Sequence, residues 1–140
     1  MHAAHHAYRR MQTETASPPQ LIAMLYDALL RNLRSSETGL ETHDLEAAHQ
    51  PLLRSQDILL ELIASLDLEA EGEAGALARQ LAPLYEYMYR RLLDASVQKD
   101  VSAVREVHRL VEPMRSAWRE ALEHLSREAA AAPRREDRRG

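Results

Sequence analysis

The sequence has no cysteine and no phenylalanine, and only four glycines in 140 residues. Without cysteine there is no disulfide framework, no thiol nucleophile and no thiolate-held zinc or iron–sulfur centre. Four glycines are too few for the many tight turns of an all-β domain. No apolar run approaches the ~18 residues of a membrane span, and no signal peptide opens the chain. The absences together read as a soluble, cytoplasmic single domain. What is plentiful is leucine, 22 of them within an apolar fraction of 45%. That much apolar surface does not stay solvated as a disordered chain, and the length suffices for one buried core.

Charge is unevenly spread. The net charge is −4, yet residues 133–140 carry four Arg against one Glu and one Asp. The body is therefore more acidic than the whole, which argues against nucleic acid, whose grooves want a basic face. Arg134, Arg135, Arg138 and Arg139 are interleaved with Glu136 and Asp137 and read as a disordered tail.

Residues 1–16 lack a sustained apolar period and read as a flexible arm. Ser17, Pro18 and Gln20 give a helix start: a cap, a first-turn proline and a capping-box partner. Leu21, Ile22, Leu25, Leu29 and Leu33 then recur at helical steps to about Glu37, with Gly39 read as a break. Asp44 caps a second helix to about Leu66, and Gly72 and Gly75 mark the next connection. A third helix spans about residues 76–96. Asp100 caps a fourth, in which Val104, Val107, Val111, Met114, Trp118, Ala121 and Leu125 form a heptad-like stripe. Four helices with short connections predict an all-α antiparallel four-helix bundle over residues 17–132. Pro51, Pro83 and Pro113 fall inside helices, and each predicts a kink or local break.

The apolar arcs of the helices differ in width. On a wheel of about 100° per residue, the fourth helix confines its large apolar side chains to about 120°. The second covers about 200°, and the third, around Tyr85, Tyr87, Met88, Tyr89, Leu92 and Leu93, about 240°. Either the tyrosines lie over the core with wet hydroxyls and Leu60 and Leu93 are scattered surface residues, or the bundle leaves an apolar strip for a partner. Tyr26, Tyr85 and Tyr87 fit either role. Trp118, on the stripe, reads as a core anchor.

Catalytic and metal constellations are weak. His2, His5 and His6 have metal-compatible spacing but no placed second shell, and paired Glu-x-x-His motifs are absent. There is no nucleophile elbow and no phosphate loop. No cofactor, metal or enzymatic activity is expected.

Several words of the sequence occur in a familiar order: Gln12-Thr13-Glu14-Thr15-Ala16-Ser17-Pro18, Leu21-Ile22-Ala23-Met24-Leu25-Tyr26-Asp27, Ser55-Gln56-Asp57-Ile58, and Leu84-Tyr85-Glu86-Tyr87-Met88-Tyr89-Arg90-Arg91-Leu92. Arg105-Glu106-Val107 and Arg115-Ser116-Ala117-Trp118 follow, and Tyr8 stands nine residues before Ser17. Collinear from about Tyr8 to Leu122, the chain resembles the FliS family of flagellin-specific export chaperones. Pro83 and Pro113 depart from that family's pattern, and the Arg-rich end lies outside the match.

The resemblance implies a protein of the bacterial cytosol that binds the disordered C-terminal segment of flagellin. It further implies that binding stops early polymerisation and that the client is delivered to the flagellar type III export apparatus. It turns the apolar strip into a client surface, with Tyr8, Met11, Leu21, Leu25, Ile58, Leu60, Leu62, Tyr85, Tyr87, Met88 and Arg91 as the expected partner-binding residues. The arm is expected either to lie over that surface as a lid or to be a bystander, with weak homo-oligomers forming when no client is present. The competing reading is a helical regulatory protein that sequesters a folded factor.

Overall fold

The computed structural model describes residues 18–131, and they form four helices with no strand among them. The expected arm, the cap at Ser17 and the Arg-rich tail lie outside the described residues. The helices are α1 (Pro18–Glu41), α2 (Leu45–Ala64), α3 (Gly72–Gln98) and α4 (Val101–Ala131). Each packs on its sequence neighbours, and α4 closes back on α1. The pairs α1/α3 and α2/α4 lie across the diagonals, as in an up-and-down bundle.

The core is the sum of the apolar stripes. Leu29 and Leu33 of α1, Leu59 and Leu62 of α2, Met88 and Leu92 of α3, and Val104, Val107 and Val111 of α4 are fully buried. They repeat at three- and four-residue steps because only that spacing keeps one helix face inward. The stripe of α4 is core only in its first half. Met114 and Trp118 are half-buried, and Ala121 and Leu125 are exposed. At 31 residues α4 is about 46 Å long against about 36 Å for α1, so its last turns outrun the bundle.

Two connections are as short as the sequence suggests. His43 adopts a left-handed conformation (φ 57°) after α1, and the Asp44 N–H donates to the Gly39 carbonyl (2.8 Å). Asp44 then accepts from the Ala47 N–H (3.1 Å), closing one helix and opening the next with one residue. Lys99 (φ 57°) ends α3 the same way, with the Asp100 N–H donating to the Ala95 carbonyl (3.2 Å).

Three expectations are corrected. Gly39 does not break α1, which runs on to Glu41; it is buried against α2, and a Cβ there would meet the Ala48 backbone N at 2.7 Å. Gly75 does not lie in a connection but inside α3, where the Ala70 carbonyl of the preceding loop lies over it. Both glycines mark close approach of two backbones, a second use of a residue without Cβ. Of the kink or local break expected at each proline, the break is absent: α2, α3 and α4 continue through Pro51, Pro83 and Pro113. Each removes one backbone donor without ending its helix.

A ladder of charge fastens α1 to α4. Arg105 donates to Glu37 (2.9 Å) and Glu41, and Arg34 approaches Glu112 (3.5 Å). Asp27 receives Arg115 and Arg119, the latter at 2.9 Å. Partial burial pushes the Asp27 carboxyl up, but hydrogen bonds and charge from the two arginines outweigh it and hold the group below the usual carboxylate range. On the α3–α4 side, Arg91 (2.6 Å) and the Tyr87 hydroxyl (2.7 Å) both donate to Glu106.

One polar contact crosses the core. The Tyr26 hydroxyl of α1 and the Tyr85 hydroxyl of α3 are hydrogen-bonded and buried, joining helices that lie diagonally opposite. Burial pushes both hydroxyls above the usual phenol range. Removing one partner strands the other in a dry site, whereas removing both does not. Tyr26→Phe or Tyr85→Phe alone is therefore expected to cost about 1 kcal/mol, and the double variant less than the sum. Urea unfolding of the four proteins checks it; additive costs would show that the hydroxyls do not act as a pair.

Candidate partner-binding site

The exposed apolar side chains of α2 and α3 do not all lie on one side. Gln56 of α2 donates through Nε2 to the Leu92 carbonyl of α3 (3.4 Å), so its face of α2 is the one turned to α3. Leu60, one turn on, is exposed on that same side, and Leu53 and Ile63 are half-buried beside it. From α3 the matching positions are half-buried Tyr89 and exposed Leu93, one position from Leu92. Leu53, Leu60, Ile63, Tyr89 and Leu93 thus flank an apolar groove along the outer side of the α2–α3 pair.

Tyr87 is not part of it. Its hydroxyl donates to Glu106 of α4, so its ring is half-exposed over the α3–α4 seam, on the opposite side of α3. The carboxylate partner raises the Tyr87 hydroxyl pKa, while the Tyr87 and Arg91 hydrogen bonds lower that of Glu106. The expected single strip containing both Leu60 and Tyr87 is thereby corrected. A 240° arc on one helix necessarily reaches two neighbours, and the wheel alone does not say where one seam ends.

A second apolar area lies at the end of the bundle where α1 and α3 begin. There the inward-facing residues are only half-buried: Ile22 and Leu25 from α1, Leu81 and Leu84 from α3, and Met114 and Trp118 from α4. Met24 and Leu77 are exposed at the same end. The Trp118 Nε1–H donates to the Pro19 carbonyl (2.9 Å), tying α4 to the first turn of α1.

The expected binding residues now separate. Ile58, Leu62, Tyr85 and Met88 are buried in the core and present nothing to a partner in this state. Tyr85 and Met88 lie near the centre of their arc, whereas Ile58 lies at the margin of its own and is buried all the same. Leu60 and Tyr87 are exposed, Leu21 and Leu25 are half-buried at the open end, and Arg91 is engaged with Glu106 and Asp94. Tyr8 and Met11 lie outside the described residues. Met24 and Leu77, both exposed at this end, are not among the expected residues; Met24 stands opposite the core stripe of α1. Among the described residues no group of His, Asp or Glu is arranged to hold a metal, and no helix is long and apolar enough to cross a membrane.

Both the sequence and the fold have known counterparts. The family model described as "Flagellar protein FliS" matches residues 1–125. The chain belongs to the FliS family. It is 37% identical over 119 residues to the flagellar secretion chaperone FliS of Salmonella typhimurium, covering 81% of this chain and 86% of that one. Against the flagellar secretion chaperone FliS of Bacillus subtilis, it is 32% identical over 117 residues, covering 84% of each. The fold matches a solved structure entitled "Crystal structure of flagellar chaperone from bacteria" with a TM-score of 0.68. That likeness covers 86% of this chain and 98% of the other at 20% identity, and so bears on the fold alone.

Proposed function

We propose that this FliS-family chain is a cytosolic export chaperone that captures the disordered C-terminal segment of flagellin and hands it to the flagellar export apparatus. A chaperone role in flagellar export comes with membership of the family. The client is the step beyond it. The observation that carries the reading is the α2–α3 groove, where Leu60 and Leu93 stay exposed on a bundle whose core is otherwise filled. Exposed leucines gathered along one seam, rather than scattered singly, mark a surface for a partner. An amphipathic client helix laid along Leu60, Tyr89 and Leu93 supplies the missing face, and the cost of ordering it offsets part of the gain. Leu21 and Leu25 at the open end extend the surface. Capture of this kind involves no bond making.

The test is a titration of the purified chain with full-length flagellin and with flagellin lacking its C-terminal helical segment. Full-length flagellin is expected to bind and to add helical signal in far-UV circular dichroism. The truncated form is expected to lose binding. Equal affinity for both would overturn the client assignment, and binding with no change in either spectrum would favour recognition of a folded factor.

A further inference from the structure

Helix α3 is held unequally along its length. From Tyr85 onward it buries Tyr85, Met88, Leu92 and Ala95, and it is tied to its neighbours through Tyr26, Glu106 and Gln56. Its first twelve residues bury only Gly75 and Ala78, with Leu81 and Ala82 half-covered and Leu77 exposed. The one large side chain of this stretch packed against the core is Leu81, and it is only half-buried. Few buried contacts per residue mark the part of a fold that opens most cheaply.

The stretch is fastened instead to the loop before it. Arg79 Nη1 donates to the carbonyls of Leu68 (3.0 Å) and Ala70 (3.4 Å). The Ala70 carbonyl sits over Gly75, so close that a Cβ there would overlap it. Loop and first turns are therefore one body. One of its two ends is also a weak point of the backbone. At one end α2 is capped by Ser65. At the other, Pro83 supplies no N–H to the Arg79 carbonyl and crowds it, which interrupts the hydrogen-bond ladder of α3 one turn before the buried part begins.

We infer that residues 66–82 open as a unit about Pro83 while the rest of the bundle stays closed, with the Tyr26–Tyr85 hydrogen bond fixing α3 just beyond the hinge. Opening withdraws Leu66 and Leu81, which pack against the core at the end of the bundle where Ile22, Met114 and Trp118 are half-buried. The apolar end is thus a gated surface, and the gate is internal to the described fold.

Hydrogen exchange of the free protein under native conditions tests this without any client. The helical amides of residues 76–82 are expected to exchange at least about ten-fold faster than those of residues 85–98, and at a shared opening rate. Pro83→Ala restores the missing donor and is expected to slow residues 76–82 by about ten-fold or more, leaving residues 85–98 unchanged. Pro51→Ala, the same exchange in α2, is the control and should leave residues 76–82 as they were. Uniform protection along α3 would overturn the inference. So would a Pro83→Ala variant that slows the whole helix alike, or a Pro51→Ala variant that slows residues 76–82 equally.

Discussion

Leu59→Glu is expected to unfold the domain, whereas its neighbour Leu60→Glu should leave the melting temperature within a few degrees of wild type and weaken client binding more than about ten-fold. The two residues share a helix, a side-chain type and adjacent positions. They differ in burial, 0% exposed for Leu59 and 46% for Leu60. At position 59 a carboxylate enters a core of Leu29, Leu33, Leu62 and Met88 in which no cation is placed to receive it. Such a group either stays charged at large desolvation cost or takes a proton and still forfeits the leucine's packing, a loss of about 4 kcal/mol or more. That is a large share of the stability of a small domain. At position 60 the carboxylate stays in water and the core is untouched. What it removes is one apolar wall of the α2–α3 groove. Thermal melts paired with flagellin titrations separate the outcomes. If Leu60→Glu melts early and Leu59→Glu does not, the two faces of α2 have been exchanged. If Leu60→Glu binds flagellin normally, the client uses another surface.

The same pair shows how far the sequence could be read. Spacing alone placed Leu59 at the centre of an arc and Leu60 at its margin, and the burial of the two follows that reading. Periodicity is a local property of the chain, so helices, their inner faces and the bundle itself could be read from it. Partnerships across helices could not. Nothing local shows that Tyr87 turns to Glu106 of α4 while Leu60 turns to α3, because that depends on which neighbour lies on which side. The charge ladder of Asp27, Arg115 and Arg119 is invisible for the same reason, its members standing 88 and 92 residues apart. Tyr85 was open between core and client, and its buried bond to Tyr26 decides for the core. The half-buried state of Met114 and Trp118 was hidden too. A heptad stripe reads alike whether or not the helices opposite reach far enough to cover it.

Glycine carried the ambiguity that misplaced two helix boundaries, and Gly39 gives it a measurable sign. If Gly39 were only a poor helix former near the end of α1, replacing it with alanine would stabilise the protein by about 1 kcal/mol. The structure predicts the opposite. A Cβ at position 39 would lie 2.7 Å from the Ala48 backbone N and 2.9 Å from its Cα and Cβ, closer than such atoms come to one another. Backbone cannot rotate aside as the end of a long side chain can. Relief therefore requires α1 and α2 to separate where Leu40, Ala48 and Leu52 are buried around the crossing. Overpacking of this kind costs about 1–3 kcal/mol, enough to exceed the helix-propensity gain. Gly39→Ala is accordingly expected to destabilise the domain, and Gly39→Leu, which needs more room at the same place, to do so by about 3 kcal/mol or more. Because the strain falls on the α1–α2 crossing, away from the outer α2–α3 groove, the folded fraction of Gly39→Ala should bind flagellin as wild type does. Urea unfolding gives the sign. A rise in stability for Gly39→Ala would mean that the two helices do not approach as closely as described, and that the glycine is there for its backbone freedom instead.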